Sequence, residues 1–171
     1  TYNNELFATA STLRQPFVKQ AIFYTAGIGI AFVLCLKDYN TLGRWAYVFY
    51  WLNILMLTLV LIPGIGSIRY GARRWFDFGV TQFQPSEMAK IAFVMAMAAF
   101  LSRPRGELSD YRILLKGIGL AALPFFLILL EPDLGSSLMI LPTGLAMMYV
   151  AGAPASFVRK LIGGFVLIVG L

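Results

Sequence analysis

The chain has 171 residues, 59% of them apolar and 13% charged, with a formal net charge of +6 and a mean hydropathy of +0.77. Its apolar residues come in runs too long for helices with one wet face, which excludes an ordinary soluble domain and marks an integral membrane protein. Most Lys and Arg flank these runs, so membrane topology accounts for the positive charge and no nucleic acid is implied.

Residues 1–16, "TYNNELFATASTLRQP", are polar and lack the basic start and short apolar core of a signal peptide, so they read as an extramembrane loop. Helical spans are expected near 18–36, 45–63, 86–101, 113–130 and 134–151, each long enough or nearly so to cross ~30 Å of hydrocarbon at ~1.5 Å per residue. A sixth run starts near 158 and gives about eleven apolar residues before Leu171, ~16 Å of helix, so the chain is expected to be a fragment. The fold class expected is all-α: a polytopic transmembrane helical bundle forming one partial domain over 1–171. Counting Lys and Arg near span ends gives seven on the side of the loop 102–112 and five on the side of the loop 64–84, a slight preference for placing the latter outside. With no His and one Cys, Cys35 in mid-span, neither a disulfide framework nor a Cys/His metal site is available. Acid and base chemistry is left to carboxylates and lysines.

The longest loop, 64–84, concentrates charge and glycine. Arg73 and Arg74 offer bidentate phosphate-type donors, and Trp75 has an amphipathic ring suited to the headgroup layer. These residues fit a basic-aromatic anchor at the membrane interface or a site for an anionic lipid. In "QPSEMAK", Pro85 suits the first position of a helix and Glu87 faces the positive end of its dipole. Glu87 and Lys90 share one face at i, i+3, and the lysine leans back toward the glutamate. Ile91–Leu101 is too short to cross the bilayer, so the turn holding this pair enters the membrane thickness, where charges should face the bundle interior or a wet cavity. The plainer alternative is a snorkelling lysine beside a dipole-complementing glutamate.

In "LLEPDLGSS", Asp133 is placed to cap the helix that starts at Leu134. Glu131 stands at the helix end where the dipole disfavours an anion, so it is expected to face water or to meet a Lys or Arg from the long loop. Pro124 and Pro142 are expected to break the two flanking spans where neighbours or water satisfy the freed carbonyls.

Taken together, "GARRWFDFG", "FQPSEMAK" and "EPDLGSS" resemble signatures of the SEDS family (shape, elongation, division and sporulation), the RodA/FtsW-type membrane proteins. The resemblance runs from about Val18 to Leu171, is specific in 71–90 and 131–137 and loose elsewhere. It implies a protein of about ten spans, of which this chain holds roughly spans two to six, in the bacterial cytoplasmic (inner) membrane. The implied activity is peptidoglycan glycosyltransfer: polymerisation of lipid II into glycan strands for cell elongation or division, alongside a class B penicillin-binding protein and in contact with membrane lipids. Carried over by motif, Arg74 and Trp75 match the family's Arg-Trp, Glu87 and Lys90 its charged cavity pair, and Asp133 the acid of its Pro-Asp-Leu-Gly motif. Two positions depart from the pattern: Glu131 stands where Gln is usual, and Ser136 where Thr is usual. The family's proposed catalytic aspartate belongs to a later outer loop and has no counterpart in this sequence, so the catalytic base is unknown here. The general look of residues 66–90 leans toward the RodA side, and the motifs occur on both sides.

Glycosyltransfer of this kind needs a base for the acceptor hydroxyl and positive charge for the departing pyrophosphate. Arg73, Arg74 and Lys90 are candidates for the second role. Glu87, Glu131 and Asp133 are candidates for orienting them or for holding a divalent cation that bridges the diphosphate, although no complete metal site is visible. Competing readings are a lipid-linked-oligosaccharide flippase or other transporter, whose cavity also needs charges among broken helices, and a non-catalytic membrane scaffold.

Overall fold

The computed structural model describes residues 16–36, 38–69, 71–78, 82–104 and 106–169. The expected loop 1–15, Arg105 and the final residues 170–171 lie outside these. The chain divides into two compact units, Thr1–Thr41 and Leu42–Leu171. The first contains helix α1, Pro16–Cys35. Helix α2, Tyr39–Leu61, begins in the first unit and lies mostly in the second.

In the second unit, α2 is followed by three short strands, β1 (Ser67–Arg69), β2 (Ala72–Asp77) and β3 (Gln82–Phe83). Helices α3 (Pro85–Leu101), α4 (Tyr111–Leu130), α5 (Leu134–Ala151) and α6 (Ala155–Val169) complete it, with a single 3₁₀ turn at Glu107–Ser109. Three of the described stretches, Gly43–Leu61, Tyr111–Leu130 and Leu134–Ala151, are long and apolar enough to cross a membrane. The protein is a multi-pass membrane protein.

Local chemistry sets the helix starts. Asp38 Oδ1 accepts from the Asn40 amide at 3.1 Å, Asp110 Oδ1 from the Arg112 amide at 2.9 Å, and Asp133 Oδ1 from the Ser136 amide at 3.1 Å, each satisfying a donor that a helix leaves free in its first turn. At α3, Gln84 is extended and Pro85 takes the first turn, where its missing N–H costs nothing.

Three helices build most of the core, with Leu57 of α2 and Val158 of α6 joining it. Phe93, Met97 and Phe100 of α3 meet Leu114, Ala121 and Ile128 of α4 and Ile140 and Met148 of α5, all buried and spaced by three, four, seven or eight residues so that each set falls on one helix face. Small residues permit the close approach: a Cβ on Gly144 would lie 3.0 Å from Phe93 Cζ, so a side chain there requires the Phe93 ring to shift.

The fold is the expected helical bundle, and within the loop 64–84 β1, β2 and β3 add a small antiparallel sheet in the order β1-β2-β3, with Arg69 opposite Ala72 and Phe76 opposite Phe83. Helix α2 starts at Tyr39 rather than near 45, because Asp38 already supplies its cap, and α6 starts at Ala155 rather than 158. Pro124 and Pro142 do not break their spans, since α4 and α5 each run through the proline. For Pro124 the reason is visible. Proline at 124 removes the amide that would bond the carbonyl four residues earlier, at Leu120, and the Tyr50 hydroxyl of α2 donates to that carbonyl instead, at 2.8 Å.

Candidate functional site

The site gathers at one end of the bundle, where the sheet, the start of α3 and the turn between α4 and α5 meet. Gln84, the residue before α3, donates from Nε2 to Asp133 Oδ2 at 3.1 Å. Arg74 of β2 brings Nη1 to 3.8 Å from the same oxygen. Asp133 therefore does more than cap α5. It ties together segments that lie 49 residues apart in the chain.

Arg73 and Arg74 are not equivalent. Neighbouring residues of a strand face opposite ways, and Arg73 turns back to donate from Nη1 to the Leu61 carbonyl at the end of α2, at 3.4 Å. Its stem packs on Gly66, where a Cβ would lie 2.8 Å from Arg73 Cγ and closer still to the Val60 carbonyl. Arg73 thus closes the carboxyl end of α2, which favours a cation. The Arg74 side chain is 24% exposed, its buried Nε, like that of Arg73, has no hydrogen-bond partner among the described residues, and its contact to Asp133 is long. Its donors are not saturated, the condition a guanidinium needs to take a phosphate in addition to its carboxylate. Trp75 is half-buried in β2 opposite Ser67, whose hydroxyl donates to the Trp75 carbonyl at 3.0 Å.

Glu87 and Lys90 do meet: Lys90 Nζ donates to Glu87 Oε1 at 2.9 Å. The Glu87 side chain is 58% exposed and that of Lys90 29%, because the buried face of α3 runs through Ser86, Ala89, Phe93 and Met97 and leaves position 87 on the far side. Lys90 lies six residues beyond Gln84, ~9 Å along the helix. It heads an apolar groove of about 510 Å³ between α3 and α5, with Phe93, Val94, Leu138, Met139 and Thr143 among its walls.

Glu131 departs furthest from expectation. It does not face water and makes no ion pair among the described residues: it is wholly buried, and both carboxyl oxygens lack a hydrogen-bond partner among them. Burial pushes its pKa up to about 8, with the neighbouring Asp133 charge adding to the shift and Arg74 opposing it. The cation expected for Glu131 is instead drawn to Asp133.

Sequence reasoning missed three contributors. Gln84 and the buried Ser86 lie within a motif it noticed, but carry no charge to single them out. Asn53, a buried amide in the middle of α2, donates to the Pro85 carbonyl at 3.2 Å and pins the start of α3. A lone amide within an apolar span was the available signal. Among the described residues no group of three or more carboxylates, Cys or His is placed to hold a metal ion.

These features define a polytopic helical membrane protein with a cationic, hydrogen-bonded site at one end of its bundle. The chain belongs to the FtsW/RodA/SpoVE family, described as "Cell cycle protein", whose model matches residues 2–171. Among curated relatives, stage V sporulation protein E of Bacillus subtilis is 35% identical over 80% of this chain and 38% of its own length. The probable peptidoglycan glycosyltransferase FtsW of Marinomonas mediterranea is 32% identical over 90% of this chain and 38% of its own. The crystal structure of Thermus thermophilus rod shape determining protein RodA superposes with a TM-score of 0.73 at 32% identity, covering 91% of this chain and 50% of that one. The chain thus spans well under half the length of the curated relatives it matches and half of that solved structure.

Proposed function

We propose that this chain forms the diphosphate-binding part of a peptidoglycan glycosyltransferase that polymerises lipid II at the outer face of the bacterial inner membrane, in partnership with a class B penicillin-binding protein. The observation that carries the reading is the convergence of Arg74, Asp133 and Gln84 above a groove headed by Lys90. A lipid-linked diphosphate needs cations for its phosphates and an apolar channel for its tail. Arg74 supplies a guanidinium with donors to spare and Lys90 a second cation toward the membrane. Asp133 and Gln84 hold the sheet that carries Arg74. Positive charge fixed before the reaction stabilises a departing pyrophosphate without reorganisation. Matches to proteins named peptidoglycan glycosyltransferase support the activity. A likeness at TM-score 0.75 to a chain from a peptidoglycan synthase complex that coordinates polymerization and crosslinking supports the partnership. The base that takes the acceptor proton is assigned to no residue of this chain. A divalent cation, if the reaction employs one, would be held chiefly by the diphosphate.

The test is lipid II polymerisation by the full-length protein with its class B partner, read as glycan product on a gel. Arg74→Ala is expected to lower the rate ~10²–10³-fold, the usual loss for a fixed electrostatic stabiliser, with the protein still folded. Undiminished polymer from Arg74→Ala would remove the site from the chemistry. Absence of polymer from the wild type, with lipid translocation instead, would establish a transporter.

A further inference from the structure

The opposite end of the bundle carries a second feature. There α3 ends, α4 begins, α5 ends and α6 begins, as the proximity of Gly117 to both Phe100 and Met148 requires. Between α5 and α6 runs an open groove of about 710 Å³, walled by Leu141, Pro142, Leu145 and Ala146 on one side and Val158 and Ile162 on the other. Leu141 to Tyr149 spans eight residues, ~12 Å along the helix, a length suited to a hydrocarbon chain. At the groove's upper end stand Tyr149 and Arg159, and no carboxylate lines it. No acid among the described residues pairs with Arg159. The next residue, Lys160, rims an adjoining apolar hollow of about 290 Å³ and is likewise without an ion pair among the described residues. An arginine left without a counter-charge at the head of a hydrocarbon-sized groove complements a molecule with an anionic head and an apolar tail. Basic pockets between membrane helices take such headgroups.

We propose that the α5–α6 groove binds an anionic glycerophospholipid, its phosphate on Arg159 with Lys160 alongside and one acyl chain against Leu145, Val158 and Ile162. Tyr149 offers a hydroxyl to the same headgroup and its ring to the glycerol level. The site is distinct from the Arg74–Asp133 cluster, at the other end of the helices, and does not depend on the glycosyltransferase reading.

The test is native mass spectrometry of the intact chain released from detergent containing equal dioleoylphosphatidylglycerol and dioleoylphosphatidylcholine. Phosphatidylglycerol adducts are expected to dominate. Arg159→Gln should cut that preference about tenfold, the scale of one hydrogen bond to a charged group, whereas Arg112→Gln, a basic residue at the same end outside the groove, should leave it unchanged. Ala146→Phe fills the groove from an exposed position and should displace the lipid with every charge retained. Equal retention of the two lipids, an equal loss on Arg112→Gln, retention in Ala146→Phe, or occupation of the groove by a second copy of the chain would each overturn the assignment.

Discussion

The Tyr50 hydroxyl donates at 2.8 Å to the carbonyl of Leu120, the acceptor that Pro124 leaves without its helical partner. A bond between α2 and α4 thus compensates a defect written into α4 by its own sequence. Tyr50→Phe keeps the ring and leaves that carbonyl unpaired, at an expected cost of ~1–3 kcal/mol. In a Pro124→Ala background the restored amide satisfies Leu120, so the same Tyr50→Phe change should cost markedly less. A double-mutant cycle on thermal or denaturant unfolding in micelles measures the difference. Equal costs in both backgrounds would sink the compensation argument.

Asp133 has two separable roles, and two substitutions divide them. Asp133→Asn retains an oxygen for the Ser136 amide but loses the charge facing Arg74, a long and partly exposed contact worth ~0–1 kcal/mol. Asp133→Ala also loses the cap, ~1 kcal/mol more. The expected pattern is near-normal stability with impaired polymerisation for Asn, and loss of both for Ala. Full activity in the Asn variant of the full-length protein would show that the carboxylate charge does not position Arg74.

The helices and much of the site are legible because their signals are local. Pro85 and Glu87 mark the start of α3, Asp133 marks the start of α5, and the i, i+3 spacing brings Lys90 to Glu87. The sheet is not legible: β2 alternates Arg, Trp and Asp with Ala, Arg and Phe, so neither set is apolar throughout and no period-two hydrophobic signal emerges. Glu131 shows why charge matching from sequence fails. Its expected partner exists, yet Asp133 takes Arg74, and that choice depends on how the hairpin packs on the α4–α5 turn. Tyr50 is equally invisible until Pro124, 74 positions away, is seen to free a carbonyl beside it.

Exposure sets the prediction for Glu87 and Lys90. With Glu87 58% exposed, the pair contributes ~0–1 kcal/mol to stability, not the several kcal/mol of an enclosed one. Lys90→Ala should therefore unfold at nearly the wild-type temperature while the full-length enzyme loses activity, because its charge at the head of the α3–α5 groove is gone. Lys90→Arg should restore part of the rate. A large drop in melting temperature for Lys90→Ala would mean that the pair is enclosed in the assembled protein.

Glu131 predicts a pH dependence with a definite sign. Its folded pKa, near 8, lies above the ordinary glutamate value of 4.5, so between those values the folded chain holds a proton that the unfolded chain has released. Stability attributable to this group therefore falls as pH rises from about 4.5 toward 8, and the loss levels off above 8. The charges close enough to move it are Asp133 in the same turn, which raises its pKa, and Arg74 of β2, which lowers it. Glu131→Gln has the shape of the protonated acid and cannot ionise. Its melting temperature should match wild type near pH 5 and exceed it at pH 9, while Glu131→Ala, which empties a fully buried site, should be less stable at both. Melting curves at the two pH values decide the matter. Parallel behaviour of wild type and Glu131→Gln from pH 5 to 9 would place the carboxylate in water or beside a cation, and the buried neutral acid would have to be abandoned.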